Sequence, residues 1–501
     1  MSPAKNHRWS LLVTVGIALV LITLDHSILY TALPTLVHDL GASSTQGLWI
    51  INAYPLVMAG LLLGAGTLGD RVGHRRMFLS GLVIFGVASL AAAFAPSPPL
   101  LIAARALLAV GAAAMMPATL ALIRITFDDV RERNLAIAIW GSLSVVGAAL
   151  GPILGGLLLE RFWWGSVFLI NVPVVVAAFA AGWVLAPHTA TDNARPWDWL
   201  SSVLVMCSLS GLVVAIKEVA HASPSLPLVA AAFAISVVTG VLFVRRQARL
   251  PYPLLEFGIF RNPAFSAGVI AAALTLFAIS GVQLATTQRY QLIAGFSPLQ
   301  AGLLVSATAL GCLPSALLGG AFLHRTGLRP LVAGGLFTGA CGVLLARYGL
   351  QAGMPWMVTG LALLGLGLGA VMSVASSAIV GNVPAHRAGM ASSVEEVSYE
   401  FGSLFAVAVL GSLLAAFYAA GLELPAGAPV AAREGITEAL ALASADGAGG
   451  TALLHAASTA FDRSYALILA IVGAVLGAGS VFTLVLLRRY GPGSATFAVN
   501  H

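Results

Sequence analysis

The chain has 501 residues, of which 59% are hydrophobic and only 9% charged, with a net charge of +6. Ordinary soluble domains carry about 25% charged residues, and a water-soluble fold of this length has no way to cover so much apolar surface. The basic excess does not point to nucleic acid either, because the charges stand singly between apolar runs and form no patch.

A helix that crosses a bilayer needs roughly 20 apolar residues. Fourteen such stretches follow one another: 10–35, 47–69, 77–95, 99–123, 135–159, 164–186, 197–216, 225–244, 264–288, 299–322, 329–348, 354–380, 388–418 and 464–487. The expectation is an all-α integral membrane protein. The first run, Leu11 to Leu33, is long enough to span and lacks a small-residue cleavage site, so it reads as a span and not as a cleavable signal. An even number of spans puts both termini on one side. Lys and Arg collect on the cytoplasmic side of membrane proteins. With both termini cytoplasmic, the inner segments hold eighteen of the 25 Lys and Arg, among them Arg195, Arg245, Arg246 and Arg387. The outer segments hold six, Lys217 and Arg463 included, and Arg105 lies within the fourth span. The outer segment 419–463 is long and rich in Ala and Gly, with weak helical periodicity over Ala431–Ala445; a cap over the outer mouth and a loose loop are both open. Cys207, Cys312 and Cys341 sit in apolar stretches without metal-ligand spacing and read as small buried hydrophobes.

The segment Gly66-Thr-Leu-Gly-Asp70-Arg71-Val-Gly73-His-Arg75-Arg76 follows the second span, and Gly320 to Arg329 has a similar pattern after the tenth. This repetition predicts two halves, 1–190 and 251–501, with two inserted spans and their linkers in 191–250; repeats around a midplane site are common in secondary transporters.

Ionisable groups inside spans are costly and mark functional sites. Those here are Asp25, His26, Arg105, Glu395, Glu396 and Glu400. In low-dielectric surroundings a carboxyl is stable with its proton on or with a cation beside it. Glu396 and Glu400 are four residues apart and share a helix face, with Glu395 turned about 100° away. Such a cluster can exchange a proton for a cation. No GxxxxGK[ST] loop occurs, so an ion gradient, not ATP, is the expected energy source, with no cofactor. His26 either shares a proton with Asp25 or faces a neighbouring helix. Tyr30, Trp49, Tyr54, Trp140 and Tyr399 are candidate cavity aromatics for cation–π contact, with packing as the alternative. In the fifth span, Gly147, Gly151, Pro152, Gly155 and Gly156 combine close-packing small residues with a bend.

Together these motifs resemble the major facilitator superfamily, and within it the fourteen-helix drug:proton antiporters. Gly66 to Arg76 is similar to the superfamily's inner-loop motif, which implies that Asp70, Arg71, Arg75 and Arg76, with Gly66 and Gly73, act as a conformational latch. Gly147 to Gly156 matches the antiporter motif in every fixed position. Leu24-Asp25 through Ala32-Leu33-Pro34 resembles the first-span motif of the fourteen-helix branch, and Phe168-Leu-Ile-Asn171-Val-Pro173 the entrance to the sixth span. Arg105 matches an arginine implied in proton transfer, although Ala109 stands where many relatives carry the first of two glycines. Val394-Glu395-Glu396-Val-Ser-Tyr399-Glu400-Phe-Gly402 resembles the acidic segment of QacA- and SmvA-type exporters of quaternary ammonium compounds, biguanides and dyes. In the second latch-like segment His324 replaces the acid, so that loop is not assigned the role. The resemblance implies two six-helix halves plus two inserted helices. It further implies a monomeric, multi-pass, proton-coupled efflux antiporter of the bacterial cytoplasmic (inner) membrane that exports lipophilic cations by alternating access. Its partners would be lipophilic cations, protons and the bilayer. An exporter of an endogenous metabolite or antibiotic, an importer on the same scaffold, and a membrane enzyme or receptor are the alternatives.

Overall fold

The computed structural model describes residues 5–187, 197–219, 224–383, 388–425, 428–445 and 447–490. Arg195 and Arg387, counted above among the inner cations, lie outside them. All regular structure described is helical: α1 (Lys5–Leu40), α2 (Ser44–Val72), α3 (His74–Ala93), α4 (Pro98–Thr126), α5 (Val130–Arg161), α6 (Ser166–Leu169), α7 (Asn171–Leu185), α8 (Trp199–Val219), α9 (Leu226–Gln247), α10 (Pro263–Gln288), α11 (Pro298–Thr326), α12 (Leu328–Ala352), α13 (Met354–Ile379), α14 (Ala388–Phe405), α15 (Gly411–Gly421), α16 (Ile436–Ala445) and α17 (Gly447–Leu486). Fourteen helical stretches are long and apolar enough to cross a membrane, as expected, with α6 and α7 forming one of them. The thirteenth consists of α14, a π-helical turn at Ala406–Leu410, and α15.

Local signals start the helices where the sequence permits. Ser43 and Ser297 each form a capping box with the glutamine three residues on, Gln46 and Gln300, which satisfies otherwise orphaned N–H groups at the starts of α2 and α11. Asn262 caps α10 by accepting from the Ala264 and Phe265 amides.

One core cluster draws mainly on residues 11–186 and a second on residues 264–487. The two bundles meet where α2 runs beside α14 and α5 beside α11. At the face away from the termini (the far face) the seam is tight. A Cβ on Gly156 would strike the Leu299 and Pro298 backbone, and one on Gly302 the Pro152 carbonyl. Gln291 also donates to the Thr31 carbonyl across the seam at 2.9 Å. The helix α8 packs on the outside of α2 and α9 on α8, the last two joined at the termini face by Asp198, which accepts from two Arg246 nitrogens and the Ser201 hydroxyl.

One reading left open is decided, and one expectation is corrected. The segment 419–463 is neither a loose loop nor mostly loop. It contains a 3-10 turn, Val430–Arg433, then α16, and α17 begins at Gly447, so Arg463 lies inside a helix. Ala432, Ile436 and Ala439 are buried against Tyr418, Leu453, Ala457 and Phe461, and the Tyr418 hydroxyl donates to the Ala432 carbonyl at 3.1 Å. Alanine-rich sequence favours helix, and apolar residues recurring every three to four positions gave it a face to bury. Gly435 reaches Ser44, so this cap touches both bundles. Beneath it a cavity of about 80 Å³ is lined by Leu33, Leu48, Gln288, Leu414, Tyr418 and Ile436, among others. The correction is Lys217, which is no loop cation but a buried residue of α8.

Candidate functional site

The intramembrane ionisable residues form a line across the two bundles. It begins inside the first bundle. Asp25 is fully buried and Arg105 is 1% exposed, and the two form a direct ion pair. Asp25 also accepts from the Asn171 amide at 3.0 Å, and that amide reaches the Ser89 hydroxyl at 3.2 Å. The Arg105 guanidinium donates further to the Ile50 carbonyl and lies 4.6 Å from the centre of the Tyr54 ring. Four helices and α2 thus contribute to one charge pair, which is how a buried ion pair becomes tolerable: its remaining donors and acceptors must be met.

The middle of the line crosses the seam. The His26 and Tyr54 rings meet at nearly right angles, with centroids 5.7 Å apart. His26 Nε2 lies 3.1 Å from the Ser403 hydroxyl of α14, Tyr30 Oη is 3.1 Å from the same oxygen, and Ser280 of α10 donates to it at 3.0 Å. One serine therefore gathers groups from α1 and α10 onto the acidic helix. His26 faces the second bundle, one of the two readings its sequence position allowed, and turns away from Asp25, its neighbour in sequence.

The far end of the line lies on α14. Glu400 is three residues before Ser403, so it shares the face that meets His26 and Tyr30; its Oε2 has no hydrogen-bond partner among the described residues. Glu396 is one turn further toward the termini face. Glu395 points differently: it is 8% exposed and both its oxygens accept from Ser376 of α13, at 2.9 and 2.7 Å. Among the described residues no Lys or Arg forms a salt bridge with any of the three glutamates.

The fifth-span glycines have a common physical reason. A Cβ on Gly147 would meet Thr23 and the Val20 carbonyl, one on Gly151 Ser27 and the Leu24 carbonyl, and one on Gly155 Ile28. Three glycines thus press α5 onto the stretch of α1 that carries Asp25 and His26, while Gly156 and Pro152 press it onto α11. In the Gly66–Arg76 segment, Gly73 has φ 98°, a conformation that suits glycine, and its amide bonds the Gly69 carbonyl. Gly327 repeats this turn with φ 80° and a bond to Leu323. Asp70 contacts His74 at 3.1 Å, Arg75 donates to the Trp183 carbonyl, Gly66 lies against Ser393 of α14, and Arg71 and Arg76 are exposed. The side chains of His324 and Arg325 lie outside the described residues.

Of the aromatics singled out, Tyr30 and Tyr54 belong to the line. Tyr399 is on α14 between Glu396 and Glu400. Trp49 is turned to α8, with its ring under the Lys217 ammonium, and Trp140 packs on the first core. Sequence reasoning passed over Ser403, Ser280, Ser376, Ser89 and the amide of Asn171, because single polar residues in apolar spans carry no spacing signal. The Asn171 position entered only through a motif resemblance.

Residues 15–407 match the sequence profile described as Major Facilitator Superfamily. The chain is 39% identical over 492 residues to the multidrug efflux pump LfrA of Mycolicibacterium smegmatis, covering 97% of each chain. It is 35% identical over 495 residues to the methyl viologen resistance protein SmvA of Salmonella typhimurium, covering 96% of this chain and 99% of that one. In structure it is similar to a bacterial homolog of the human lysosomal transporter Spinster, with a TM-score of 0.66 at 16% identity over 97% of this chain and 98% of that one.

Proposed function

The chain belongs to the major facilitator superfamily, and on that footing we propose that it is a proton-coupled antiporter that exports drugs, lipophilic cations in particular, across the bacterial cytoplasmic membrane. It is a multi-pass membrane transporter and not an enzyme. One observation carries the reading: the single buried arginine of the line is already paired to Asp25, and among the described residues no Lys or Arg forms a salt bridge with Glu396 or Glu400. A carboxyl in that setting needs either a proton or a bound cation. A proton and a lipophilic cation then compete for the same negative charge, which is the thermodynamic core of an exchanger.

In the proposed cycle the proton gradient is the energy source and no cofactor takes part. Protons reach Glu400 and Glu396 from the outer side, which the distribution of loop cations assigns to the far face. A quaternary ammonium compound, a biguanide or a cationic dye arriving from the cytoplasm displaces them. The Ser403 node passes the change of charge to His26, Tyr30 and Tyr54, and through Tyr54 to the Asp25–Arg105 pair. Opening of the far face requires α5 to part from α11 at Gly156 and the cap to leave Ser44. The Gly66–Arg76 turn, resting against α14 at Ser393, acts as the latch of the termini face. The protein works as a monomer. That SmvA, in its name, is tied to methyl viologen, a dication, favours cationic substrates.

The test is proton release from purified protein on addition of a cationic dye in weakly buffered solution. Wild type releases protons, Glu400→Gln releases fewer, and Glu396→Gln/Glu400→Gln none. No release from wild type, or equal release from all three, refutes the proposal.

A further inference from the structure

Outside that line, and among the described residues, the membrane region holds one other buried cation that the proposed cycle does not use. Lys217 is 8% exposed, two residues before the end of α8, and its ammonium has no hydrogen-bond partner among the described residues. What it does have is Trp49 of α2, whose ring centre lies 4.4 Å from Nζ. The pairing is built into the helix register. Gly60 receives Met206 and Gly64 receives Ser202, so α2 and α8 run antiparallel in close contact. Eleven residues further toward the far face along each helix, Trp49 and Lys217 meet. One turn deeper on α2, Asn52 is fully buried, with both its amide nitrogen and its carbonyl oxygen unpartnered among the described residues.

Lysine is chemically mismatched to this place. Its ammonium carries three N–H donors and is strongly hydrated, yet an aromatic face accepts the charge without satisfying the donors. A quaternary ammonium or phosphonium ion has no N–H to satisfy, and aromatic faces are its usual partners. The lysine also has somewhere else to go: Val219 is 62% exposed at the helix end, and a four-carbon stem lets the ammonium swing out to the membrane surface without moving a helix.

We propose that the Trp49 face, with Asn52 one turn along α2, is a second site for lipophilic cations, lateral to the carboxylate line, and that Lys217 is a tethered competitor that fills it until a substrate cation displaces it. This inference rests on the reading of the chain as a cation exporter. Removing the competitor while keeping its length and apolar stem then improves binding.

The experiment is equilibrium binding of tetraphenylphosphonium to the purified full chain in lipid nanodiscs. The expected result is two bound equivalents per wild-type chain, with the weaker one tightened at least tenfold (about 1.4 kcal/mol) in Lys217→Met. The gain disappears in Trp49→Leu/Lys217→Met and is absent in Lys217→Arg, which keeps a tethered cation. Wild type that binds tetraphenylphosphonium while Lys217→Met gains nothing overturns this inference alone, as does a gain that survives Trp49→Leu. Wild type that binds none overturns the exporter reading beneath it. Failure of both Lys217→Met and Lys217→Gln to fold makes the ammonium a structural element and also overturns the proposal.

Discussion

Replacing Asp25 by asparagine keeps the size of the side chain and its contact with Asn171, and removes one charge. Arg105 is then left 1% exposed with no counter-ion. What remains to it is the Ile50 carbonyl at 3.4 Å and the Tyr54 ring at 4.6 Å. A desolvated cation–π contact is worth about 2 kcal/mol, whereas stranding one partner of a buried ion pair costs about 3–5 kcal/mol. Asp25→Asn is therefore expected to destabilise the first bundle by a few kcal/mol, read as a lowered unfolding midpoint in detergent, and to abolish dye-driven proton release. The double variant Asp25→Asn/Arg105→Gln separates structure from coupling. With both charges gone the stranded guanidinium is gone too, so stability returns most of the way, because a buried pair contributes little net when both partners are replaced. Proton release does not return, because the charge that answers Glu400 through Tyr54 is missing. Recovery of proton release in the double variant refutes the relay role and leaves the pair as scaffold.

Ser403→Ala removes the oxygen shared by His26, Tyr30 and Ser280; at about 1 kcal/mol for each lost bond the structure loosens modestly, while transport measured by dye efflux slows far more than stability predicts. Equal dye efflux in Ser403→Ala and wild type argues against the node. Gly156→Val places side-chain atoms in the Leu299 backbone, with an overpacking cost of about 1–3 kcal/mol, and wedges α5 from α11. The thiol of Leu48→Cys, beneath the cap, should then react faster with an impermeant thiol reagent from the far face; an unchanged rate argues against that seam being the gate. Asp198 lies outside the spans. Burial works against its ionised form, but the bonds from Arg246 and Ser201 outweigh it and hold its carboxyl below the usual carboxylate range. A depressed folded value makes its contribution to stability fully present above the unfolded value, about pH 4, and lost as pH falls through the lower folded one. Thermal unfolding of wild type minus Asp198→Asn should thus differ by a constant amount from pH 5 to 8 and converge in stronger acid. A difference that grows toward pH 8 contradicts the pairing.

Much of this molecule is written in local sequence. Fourteen apolar runs become fourteen membrane-length helical stretches because a buried or lipid-bound backbone satisfies its own hydrogen bonds only as helix, and the length of each run sets its reach. The acids of α14, Asp25 and Arg105 stood out because charge inside such a run is rare. The glycines of the fifth span could be read as a seam, since only small residues let backbones touch. Other features depend on neighbours from distant sequence. That Asp25 belongs to Arg105 and Asn171, while adjacent His26 belongs to Ser403, follows from the 100° turn between successive residues and from which helices stand on either side of α1. That Glu395 is tied to Ser376 while Glu400 has an oxygen unpartnered is decided the same way. Trp49 could be counted a cavity aromatic from its span, and Lys217 a loop cation from its place near a helix end; only the antiparallel register of α2 on α8 brings one over the other. Sequence determined which residues are costly to place in a membrane, and the tertiary structure decided which of them meet a partner.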